Sequence, residues 1–529
     1  MNSPAFDTFN TPDSSGRATG REHANEAGSP VRWLVAVGLA ALALRLWLSV
    51  VFPVTGDEAF FYWWGVYLDW GYYDHPPMVG WLIGLMRATL GDGLWAIRLP
   101  VVLLPLALGA AIGWGLWPRY RDRAAWAVLF FWLAPINWLN TLITTDTPLI
   151  FWSVLSVAAL LRAEQRSQMD GKAWALYALS GFMLGCAFLS KYFSVVLGLT
   201  YLVYFAVYRR DRLGGFALLV LAALPGPAIN IAWNMDHGWS NIMFNLYNRN
   251  EDADFEWSKP LTYVGMMLYL ATPPAVWLAF RHRRELGAAA RADRLLVCLV
   301  LVPLTFFALL SLKKTIGLHW VLSFYPFGFV WLALALPLHK LRACALGMAI
   351  FTGLHVLAVA GVAMTSLDQW KSTKLYPKII RSFEAKAILE QASAPGAVLM
   401  ADAYTPAAVY GFERRSYMPV FGPGKFHARQ DDLLVDFSVY EGQTIRIITG
   451  GGAPDLAAYQ PYFESVRQFQ LTQSGVPFYV VEGQGFHYAA YKSGVLATIF
   501  DRYYNIPKAL PMTGCPFCER LCGQVRCER

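Results

Sequence analysis

The stretch from Gly56 to Trp64 reads Gly-Asp-Glu-Ala-Phe-Phe-Tyr-Trp-Trp, and residues 72–77 follow with Tyr-Tyr-Asp-His-Pro-Pro. It comes directly after the first long apolar segment, so Asp57 and Glu58 lie where a membrane helix gives way to an aromatic-rich loop. Trp and Tyr favour this depth because their rings are apolar and their tips are polar. A carboxylate near a bilayer is costly, and its presence there predicts a function. The alternative is a solvated pair of acids at a helix end.

The composition of the chain indicates its class. The chain has 529 residues, of which 56% are hydrophobic and only 15% are charged, whereas a soluble domain carries about 25% charged residues. This deficit and the long apolar runs predict a polytopic α-helical membrane protein. The net charge of +8 does not indicate nucleic acid, because the basic residues fall in short clusters between apolar runs. Such clusters set membrane orientation.

Apolar runs of about 17–25 residues predict about eleven membrane spans, with a short interfacial helix or half-span at 76–90. Basic residues fill every second loop and acidic residues fill the others, which places the amino terminus in the cytoplasm and everything after about residue 366 outside. Residues 1–30 are polar and predict a disordered cytoplasmic tail. The spans are predicted at 31–53, 94–117, 124–142, 147–163, 173–189, 192–208, 213–234, 261–280, 295–311, 318–337 and 343–365.

Residues 367–510 have a different pattern from the multispanning part at 31–366. Short β-rich runs alternate with helix-like stretches, and Gly and Pro residues separate them, which predicts a small α/β domain outside the cytoplasm. The run at 450–452 consists of three glycines, but it lacks the Lys and Ser/Thr of a phosphate-binding loop, so a plain turn is favoured. The predicted strands are Ala397–Ala401, Thr444–Thr449 and Pro477–Glu482.

Two groups of residues raise the question of a metal. His75 and His237 could share a divalent ion with nearby acids, but two His from separate loops are a weak metal pattern. The tail at 511–529 has a metal-like or redox-like Cys spacing, for which disulfides are favoured over zinc outside the cytoplasm, and an absence of any role is the third alternative. The tail cysteines are Cys515, Cys518, Cys522 and Cys527.

The predicted topology places a set of ionisable and aromatic side chains on the outer side. Carboxylates and cations on one face suggest a site that deprotonates one partner and neutralises an anion on another. The candidate catalytic residues are Asp57, Glu58 and Asp146, and the candidate substrate-binding residues are Tyr62, Tyr73, Asp74, His75, Lys191, Tyr192, Lys313, Lys314 and His319.

Several of these positions have structural alternatives. Asp146 stands before Thr-Pro, a strong helix start, so capping and function are both compatible with it. Lys191 lies between two apolar helices, from which a lysine can reach the surface along its own stem. Lys313 and Lys314 interrupt the positive-inside trend, which favours anion binding over simple surface charge.

This combination suits a sugar donor attached to a lipid phosphate, because the reactive bond of such a donor lies at the membrane surface. The polyprenyl phosphate that leaves gains negative charge, which Lys, a protonated His or a metal can stabilise. A hydroxyl acceptor needs a general base, and a carboxylate suits that role. Aromatic side chains such as Tyr62 and Tyr73 can stack on the apolar faces of sugar rings.

Four motifs, at 56–64, 71–78 (Gly-Tyr-Tyr-Asp-His-Pro-Pro-Met), 144–148 (Thr-Thr-Asp-Thr-Pro) and 189–192 (Leu-Ser-Lys-Tyr), resemble the bacterial branch of the glycosyltransferase family 39 / protein mannosyltransferase-like group. That group includes the aminoarabinose and galacturonic acid transferases that modify lipopolysaccharide. The resemblance covers roughly residues 31–365. It implies the GT-C fold in the bacterial inner membrane, with a periplasmic domain after it.

The resemblance also implies roles for individual residues. Asp57 corresponds to the family's catalytic first-loop acid and Asp146 to its second-loop acid, and the donor is a polyprenyl-phosphate sugar that reacts with inversion of the anomeric centre. The segment 313–320 matches the family's late basic motif only loosely, and the four-Cys tail lies outside the family pattern.

The sequence therefore predicts an integral-membrane glycosyltransferase whose acceptor is lipid A, another glycolipid, a polymer or a protein of the envelope. Asp57 would be the base or would orient the acceptor, and Glu58 and Asp146 would hold acceptor, sugar or a divalent metal. A transporter or flippase of lipid-linked sugars is the alternative, and it would need polar residues and broken helices near the bilayer midplane. The sugar, the acceptor, metal dependence and oligomeric state are not predicted. The cations assigned to the donor phosphate are Lys191, Lys313 and Lys314, with His319 behind them.

Overall fold

The computed structural model describes residues 30–117, 119–248, 255–423, 429–450 and 452–527. Residues 1–29, most of the predicted cytoplasmic tail, lie outside the described residues. Helices make up nearly all of the chain before residue 393, and a small sheet with flanking helices follows.

Six helices in the described part of the chain are long and apolar enough to cross a membrane. A seventh span arises if the pair Ser258–Leu270 and Pro273–Arg281, bent by 89°, is counted as one. The protein is therefore a multi-pass membrane protein. The six helices are Val31–Val51, Leu94–Leu116, Asp146–Glu164, Arg210–Asp236, Arg294–Ser311 and Leu338–Ala363.

About eleven spans were predicted, and six or seven of them meet these measures of length and hydropathy among the described residues. The remaining predicted segments are helical, but they are shorter, less apolar or broken. Several breaks fall at prolines, such as Pro135 and Pro273, because proline has no N–H and restricts the residue before it. The remaining helices of this part are Gly56–Val66, Met78–Leu90, Arg121–Trp132, Ile136–Leu139, Gly171–Phe188, Ser194–Tyr208, Ser240–Met243, Arg283–Ala292 and Tyr325–Ala335, with a π-helical turn at Phe244–Asn248.

The helix Gly56–Val66, here called the first-loop helix, begins in a capping box. The Thr55 side chain accepts from the Glu58 N–H, and the Glu58 carboxylate accepts from the Thr55 N–H at 3.1 Å. This exchange satisfies donors that a helix start otherwise leaves unpaired. The sequence between the caps is apolar on every face, so the helix is buried nearly all round.

Two glycines show what encloses the first-loop helix. A Cβ at Gly56 would collide with Thr405, and a Cβ at Gly65 would collide with Ile83. The first contact comes from the helix Tyr404–Arg414 of the α/β part and the second from the helix Met78–Leu90. The first-loop helix, the α/β part and the neighbouring membrane helices therefore share one hydrophobic core.

The sheet of the α/β part has four strands: β1 (Ala397–Ala401), β2 (Thr444–Thr449), β3 (Phe463–Gln473) and β4 (Val476–Phe486), in the order β1-β2-β4-β3. β1 and β2 run parallel, and β4 runs antiparallel to both β2 and β3. The predicted first two strands are confirmed, and the third lies inside β4. β3 was not predicted, because this edge strand is largely exposed and polar residues interrupt its apolar pattern.

Short helices surround the sheet, and the four tail cysteines form two disulfides, Cys515–Cys518 and Cys522–Cys527. The structure thus has disulfides in the tail, which the sequence analysis favoured over a zinc site. The domain limits 31–366, 367–510 and 511–529 stay a prediction. The helices of this part are Tyr376–Phe383, Ala385–Ala392, Tyr404–Arg414, Asp431–Leu434, Tyr488–Tyr491, Ala497–Tyr503 and Pro516–Cys522, with a π-helical turn at Lys492–Leu496.

Candidate functional site

Asp57 lies in the first turn of the first-loop helix, where the helix dipole favours a negative charge. The residue keeps an exposed surface, so an incoming group can reach it. Burial by surrounding protein nevertheless raises the pKa of its carboxyl. Arg429 and His319 oppose that rise in pKa, whereas Asp74 and Glu58 add to it. Residues from three distant parts of the chain therefore act on one accessible carboxylate.

Asp74 and Arg429 form a buried ion pair beside this carboxylate. Nη1 of Arg429 lies 2.5 Å from Oδ2 of Asp74, and the two residues are 8% and 5% exposed. The guanidinium lies 3.9 Å from the ring centre of Tyr404. It lies 5.3 Å from the ring centre of Phe60 and 5.4 Å from that of Phe244. The pair thus joins the first loop to the α/β part through an aromatic enclosure.

The Asp74–Arg429 pair is not saturated. Oδ1 of Asp74 and Nε of Arg429 are both buried, and neither has a hydrogen-bond partner among the described residues. Buried polar atoms are nearly always hydrogen-bonded, so atoms such as these point to a ligand or an ordered water. The pair therefore holds the first loop to the α/β part and keeps one polar atom on each partner without a hydrogen bond among the described residues.

Asp146 and Lys191 form a second ion pair. Nζ of Lys191 lies 2.8 and 3.0 Å from the two carboxylate oxygens of Asp146, and the two side chains are 11% and 8% exposed. Asp146 is the first residue of the helix Asp146–Glu164, and Thr145 before it makes no side-chain cap. The structure thus brings together two residues that the sequence placed in one site, and Lys191 points to a carboxylate instead of extending to the surface.

The late loop that carries His319 packs against the loop that carries Lys191. The Trp320 ring lies 4.6 Å from the Phe193 ring, and Lys191 Nζ lies 5.4 Å from the same Phe193 ring. A Cβ at Gly317 would collide with the His319 ring, so the close turn here needs a glycine. His319 reaches Asp57 electrostatically from this loop, which connects the Asp57 region with the Asp146–Lys191 pair.

Glu58 does not fit the direct role predicted for it. Its carboxylate accepts from Arg98 at 2.6 and 2.8 Å, from the N–H of Ile143 at 3.1 Å and from Thr55. Glu58 and Arg98 have no exposed surface. Arg98 also donates to the carbonyls of Ser49, Phe52 and Pro53. Glu58 therefore anchors the first-loop helix to the second outer loop and has no oxygen open to a substrate.

Three predicted tyrosines lie in different surroundings. Tyr62 is five residues after Asp57, on another side of a helix with 3.6 residues per turn, and its hydroxyl donates to Asp92 at 3.1 Å. The Tyr192 hydroxyl donates to Asn230 at 3.0 Å, within a buried amide network. Tyr73 is fully buried, with its ring 5.8 Å from that of Phe244. None of the three offers the open aromatic face that sugar stacking requires.

The remaining predicted residues border the site. The His75 ring packs edge-on against Trp64 of the first-loop helix. Lys313 is exposed after the helix Arg294–Ser311, and its carbonyl accepts from Lys259 at 3.4 Å. Lys314 is half-buried in the same loop. Phosphate binding by these two lysines stays a prediction. The described residues hold no group of three His, Cys, Asp or Glu suited to an ion, and the divalent metal also stays a prediction.

Two important arginines were missed by the sequence reasoning. Arg98 lies inside a predicted span, and an arginine among apolar residues is itself a sign of a buried partner. Arg429 gives no such signal, because it lies in a loop of the α/β part that matches no motif. Its ion pair with Asp74 joins positions 355 residues apart.

Known proteins resemble this chain in sequence. Residues 74–233 match the family model described as dolichyl-phosphate-mannose-protein mannosyltransferase. The lipid A galacturonosyltransferase RgtD of Rhizobium johnstonii is 26% identical over 322 residues, which cover 55% of this chain and 63% of that protein. The undecaprenyl phosphate-alpha-4-amino-4-deoxy-L-arabinose arabinosyl transferase of Pseudomonas aeruginosa is 27% identical over 46% of each chain. The matches thus span about half to somewhat under two thirds of these relatives.

Two crystal structures share the fold along most of the chain. ArnT from Cupriavidus metallidurans in the apo state superposes with a TM-score of 0.61 at 16% identity, covering 86% of this chain and 98% of that one. The same protein bound to undecaprenyl phosphate gives 0.60 at 14% identity, covering 85% and 98%. The predicted GT-C fold, a multispanning helical part followed by an α/β part, is therefore confirmed, and the chain is similar in sequence to the aminoarabinose and galacturonic acid transferases.

Proposed function

We propose that this protein is an integral-membrane glycosyltransferase that moves a sugar from a polyprenyl-phosphate donor to a cell-envelope acceptor. The observation that carries the proposal is the convergence on Asp57: Arg429 from the α/β part and His319 from the late loop both act electrostatically on this accessible first-loop carboxylate. A transfer reaction at a membrane surface needs a base or acceptor-orienting group next to cations, and this arrangement provides both.

The similar proteins support the same reaction class. One relative is named a lipid A galacturonosyltransferase, the other an undecaprenyl phosphate-linked aminoarabinose transferase, and the crystallised ArnT carries undecaprenyl phosphate. A lipid A-type glycolipid is therefore the acceptor that we favour, and a polyprenyl-phosphate sugar is the donor. The sugar of this protein is left open, because the two relatives differ in it.

In the proposed reaction Asp57 accepts the proton of an acceptor hydroxyl. The oxygen so activated attacks the anomeric carbon of the donor, and the electron pair of the breaking bond goes to the phosphate oxygen. Polyprenyl phosphate then leaves with an additional negative charge, which the cations Lys191 and His319 would stabilise. A single displacement of this kind inverts the anomeric centre. If the acceptor is itself a phosphate, no base is needed and Asp57 only orients it.

The other charged groups hold the site in place. Asp146 keeps Lys191 oriented through two contacts of 2.8 and 3.0 Å. Glu58 and Arg98 fix the start of the first-loop helix and hence the position of Asp57. We place the site on the periplasmic side of the bacterial inner membrane, with the amino terminus in the cytoplasm. The support for this orientation is the alternation of basic and acidic loops along the sequence.

Mass spectrometry of envelope lipids tests the proposal in cells. A strain that lacks the gene should lose one sugar from a lipid A-type glycolipid, and the wild-type gene should restore that sugar. The gene with Asp57→Asn should not restore it at equal protein level. An unchanged lipid profile in the deletion strain, with donor and acceptor both present, would contradict the proposal.

A further inference from the structure

The C-terminal tail reaches the candidate site although it holds none of the predicted site residues. Its short helix, Pro516–Cys522, is closed at both ends by the disulfides Cys515–Cys518 and Cys522–Cys527. Cys515 and Cys518 are fully buried, and Phe517 stacks on Tyr504 with ring centres 4.5 Å apart. The tail is therefore packed into the protein as a fixed element.

One side of the tail binds the segment next to Arg429. Arg520 donates through Nη2 to the carbonyl of Asp432 at 2.8 Å and to that of Leu433 at 2.9 Å, and through Nη1 to the carbonyl of Val435. These carbonyls lie at the end of the helix Asp431–Leu434, where backbone acceptors lack helical partners. Arg429 lies two residues before this helix. One guanidinium thus holds the segment that carries the site arginine.

The tail also binds a second segment, which leads to another neighbour of Arg429. Thr513 N–H donates to the Met235 carbonyl at 2.8 Å, and Trp239 Nε1 donates to the Pro511 carbonyl at 2.7 Å. This segment continues into Phe244, whose ring faces the Arg429 guanidinium at 5.4 Å. The tail therefore fixes two of the elements between which Arg429 is held.

The backbone at Arg429 makes this support necessary. Arg429 has φ 57°, a left-handed conformation that a side chain larger than glycine adopts at a cost. Its neighbour Gln430 accepts from the N–H of Tyr73 at 3.2 Å, which joins this segment to the first loop. Other contacts hold the side chains of Asp431 and Asp432, whereas Arg520 holds the backbone carbonyls of this segment. Loss of Arg520 would therefore loosen the backbone next to Arg429 and weaken its contact with Asp74.

We propose that the cystine-closed tail, through Arg520, is a positioning element that holds Arg429 in the transferase site. This inference rests on the proposed function, and Arg520 itself touches no reacting atom. It assigns a role to the four-Cys tail, which the family resemblance left unexplained. Arg520 would influence the rate of transfer by holding Arg429 in place.

Hydrogen–deuterium exchange of the purified full-length protein tests whether Arg520 holds the segment 430–435, and it needs no measurement of transfer. In Arg520→Gln the amides of 430–435 should exchange roughly tenfold faster or more, since three charge-assisted contacts are lost. Amides of the helix Tyr404–Arg414 should not change. The matched control is Arg526→Gln, which loses contacts of 2.9 and 3.4 Å to the carbonyls of Leu510 and Ile506, just before the tail, and not to residues 431–435. Unchanged exchange at 430–435 in Arg520→Gln would overturn the inference.

A double-mutant cycle tests the link to transfer. Arg520→Gln alone should lower transfer about as much as Arg429→Gln, and the double variant should be no slower than Arg429→Gln alone, because both act through the same side chain. Losses that multiply would overturn the positioning role, as would faster exchange with wild-type transfer. Arg520→Lys keeps the charge but not the planar fork, so it should fall between wild type and Arg520→Gln, and it serves if Arg520→Gln does not fold. If the wild type shows no transfer, the proposed function fails, and the exchange result alone decides whether Arg520 holds the segment.

Discussion

Asp57 and Glu58 are adjacent residues of the same charge, but the regions around them are built for different purposes. Both oxygens of the Glu58 carboxylate accept hydrogen bonds, from Arg98, Ile143 and Thr55, and neither Glu58 nor Arg98 has exposed surface. The region of Asp57 is open and draws its charged neighbours, Arg429 and His319, from distant parts of the chain. A saturated carboxylate holds a structure together, whereas an accessible one among long-range charges can react.

The strongest loss of transfer should come from a change at Asp57, the accessible carboxylate. Asp57→Asn should lower transfer by about 10² to 10⁴-fold, the contribution of a general base. The melting temperature should not fall, because Asp57 makes none of the contacts that anchor the helix. Transfer by the reconstituted protein and a thermal melt measure the two quantities. Asp236→Asn is the control, since that side chain is 64% exposed. Full transfer by Asp57→Asn would end the assignment.

Glu58→Gln should lower the stability of the folded protein, because Glu58 is the buried structural carboxylate. The change leaves the Arg98 charge buried without its counter-ion, and removing one partner of a buried pair costs about 3–5 kcal/mol. The folded fraction in detergent should fall on heating well before that of the wild type. Asp170→Asn removes a partner from the exposed pair with Arg166 and should not change the melt. A Glu58→Gln protein with wild-type stability and lost transfer would reverse the two roles.

Arg429→Gln should have an intermediate effect on transfer. It removes the ion pair with Asp74, and hydrogen bonds to charged groups contribute about 1.5–3 kcal/mol, which corresponds to roughly ten- to hundredfold. Initial rates at several donor and acceptor concentrations would show whether binding or turnover changes. Arg415→Gln removes another arginine of the α/β part, one that lies over the rings of Phe412 and Tyr62, and should retain transfer. Equal losses in both variants would count against a specific role.

The dependence of transfer on pH should move in a defined direction. A base acts only when deprotonated, and burial raises the pKa of Asp57, so transfer should rise with pH through a value above that of an ordinary aspartate. Arg429 opposes this rise in pKa, so Arg429→Gln should move the acidic limb to higher pH. A limb that stays in place or moves to lower pH would show that another group titrates.

Tyr62→Phe should give the smallest effect, although the sequence placed Tyr62 in the substrate site. The variant loses only a hydrogen bond of 3.1 Å to an exposed aspartate, so transfer should stay within about twofold. Tyr404→Leu is the contrast, because that ring lies 3.9 Å from the Arg429 guanidinium, and the loss of such a contact corresponds to a several-fold fall. A large loss in Tyr62→Phe alone would return that residue to the site.

The parts of the site that the sequence predicted are those written in local motifs. The Gly-Asp-Glu run located Asp57, and the motifs around Asp146 and Lys191 located a pair that is in direct contact. The function of adjacent acids was not separable from the sequence, because the difference between Asp57 and Glu58 depends on Arg98 and Arg429. Arg429 contacts Asp74 across 355 positions, and no local pattern reports a contact of that length.

The fold was predicted in class and less well in detail. Composition and long apolar runs were sufficient for a multispanning helical protein followed by an α/β part. Six helices of the described residues meet the length and hydropathy of a full span, and the other predicted spans are shorter or broken helices, such as Ser258–Leu270 and Pro273–Arg281, which meet at a bend of 89°. Strand β3 was missed because an exposed edge strand buries few residues and so shows little apolar alternation.

The most direct test follows the donor itself. Wild-type protein in proteoliposomes is given a polyprenyl-phosphate sugar labelled in the sugar and a lipid A-type acceptor, and mass spectrometry measures both products. If the protein transfers the sugar as proposed, free polyprenyl phosphate and labelled acceptor appear in equal amounts, and neither forms with Asp57→Asn. A donor that stays intact, whether unmoved or carried to the other leaflet as a lipid-linked sugar transporter would carry it, would contradict the account.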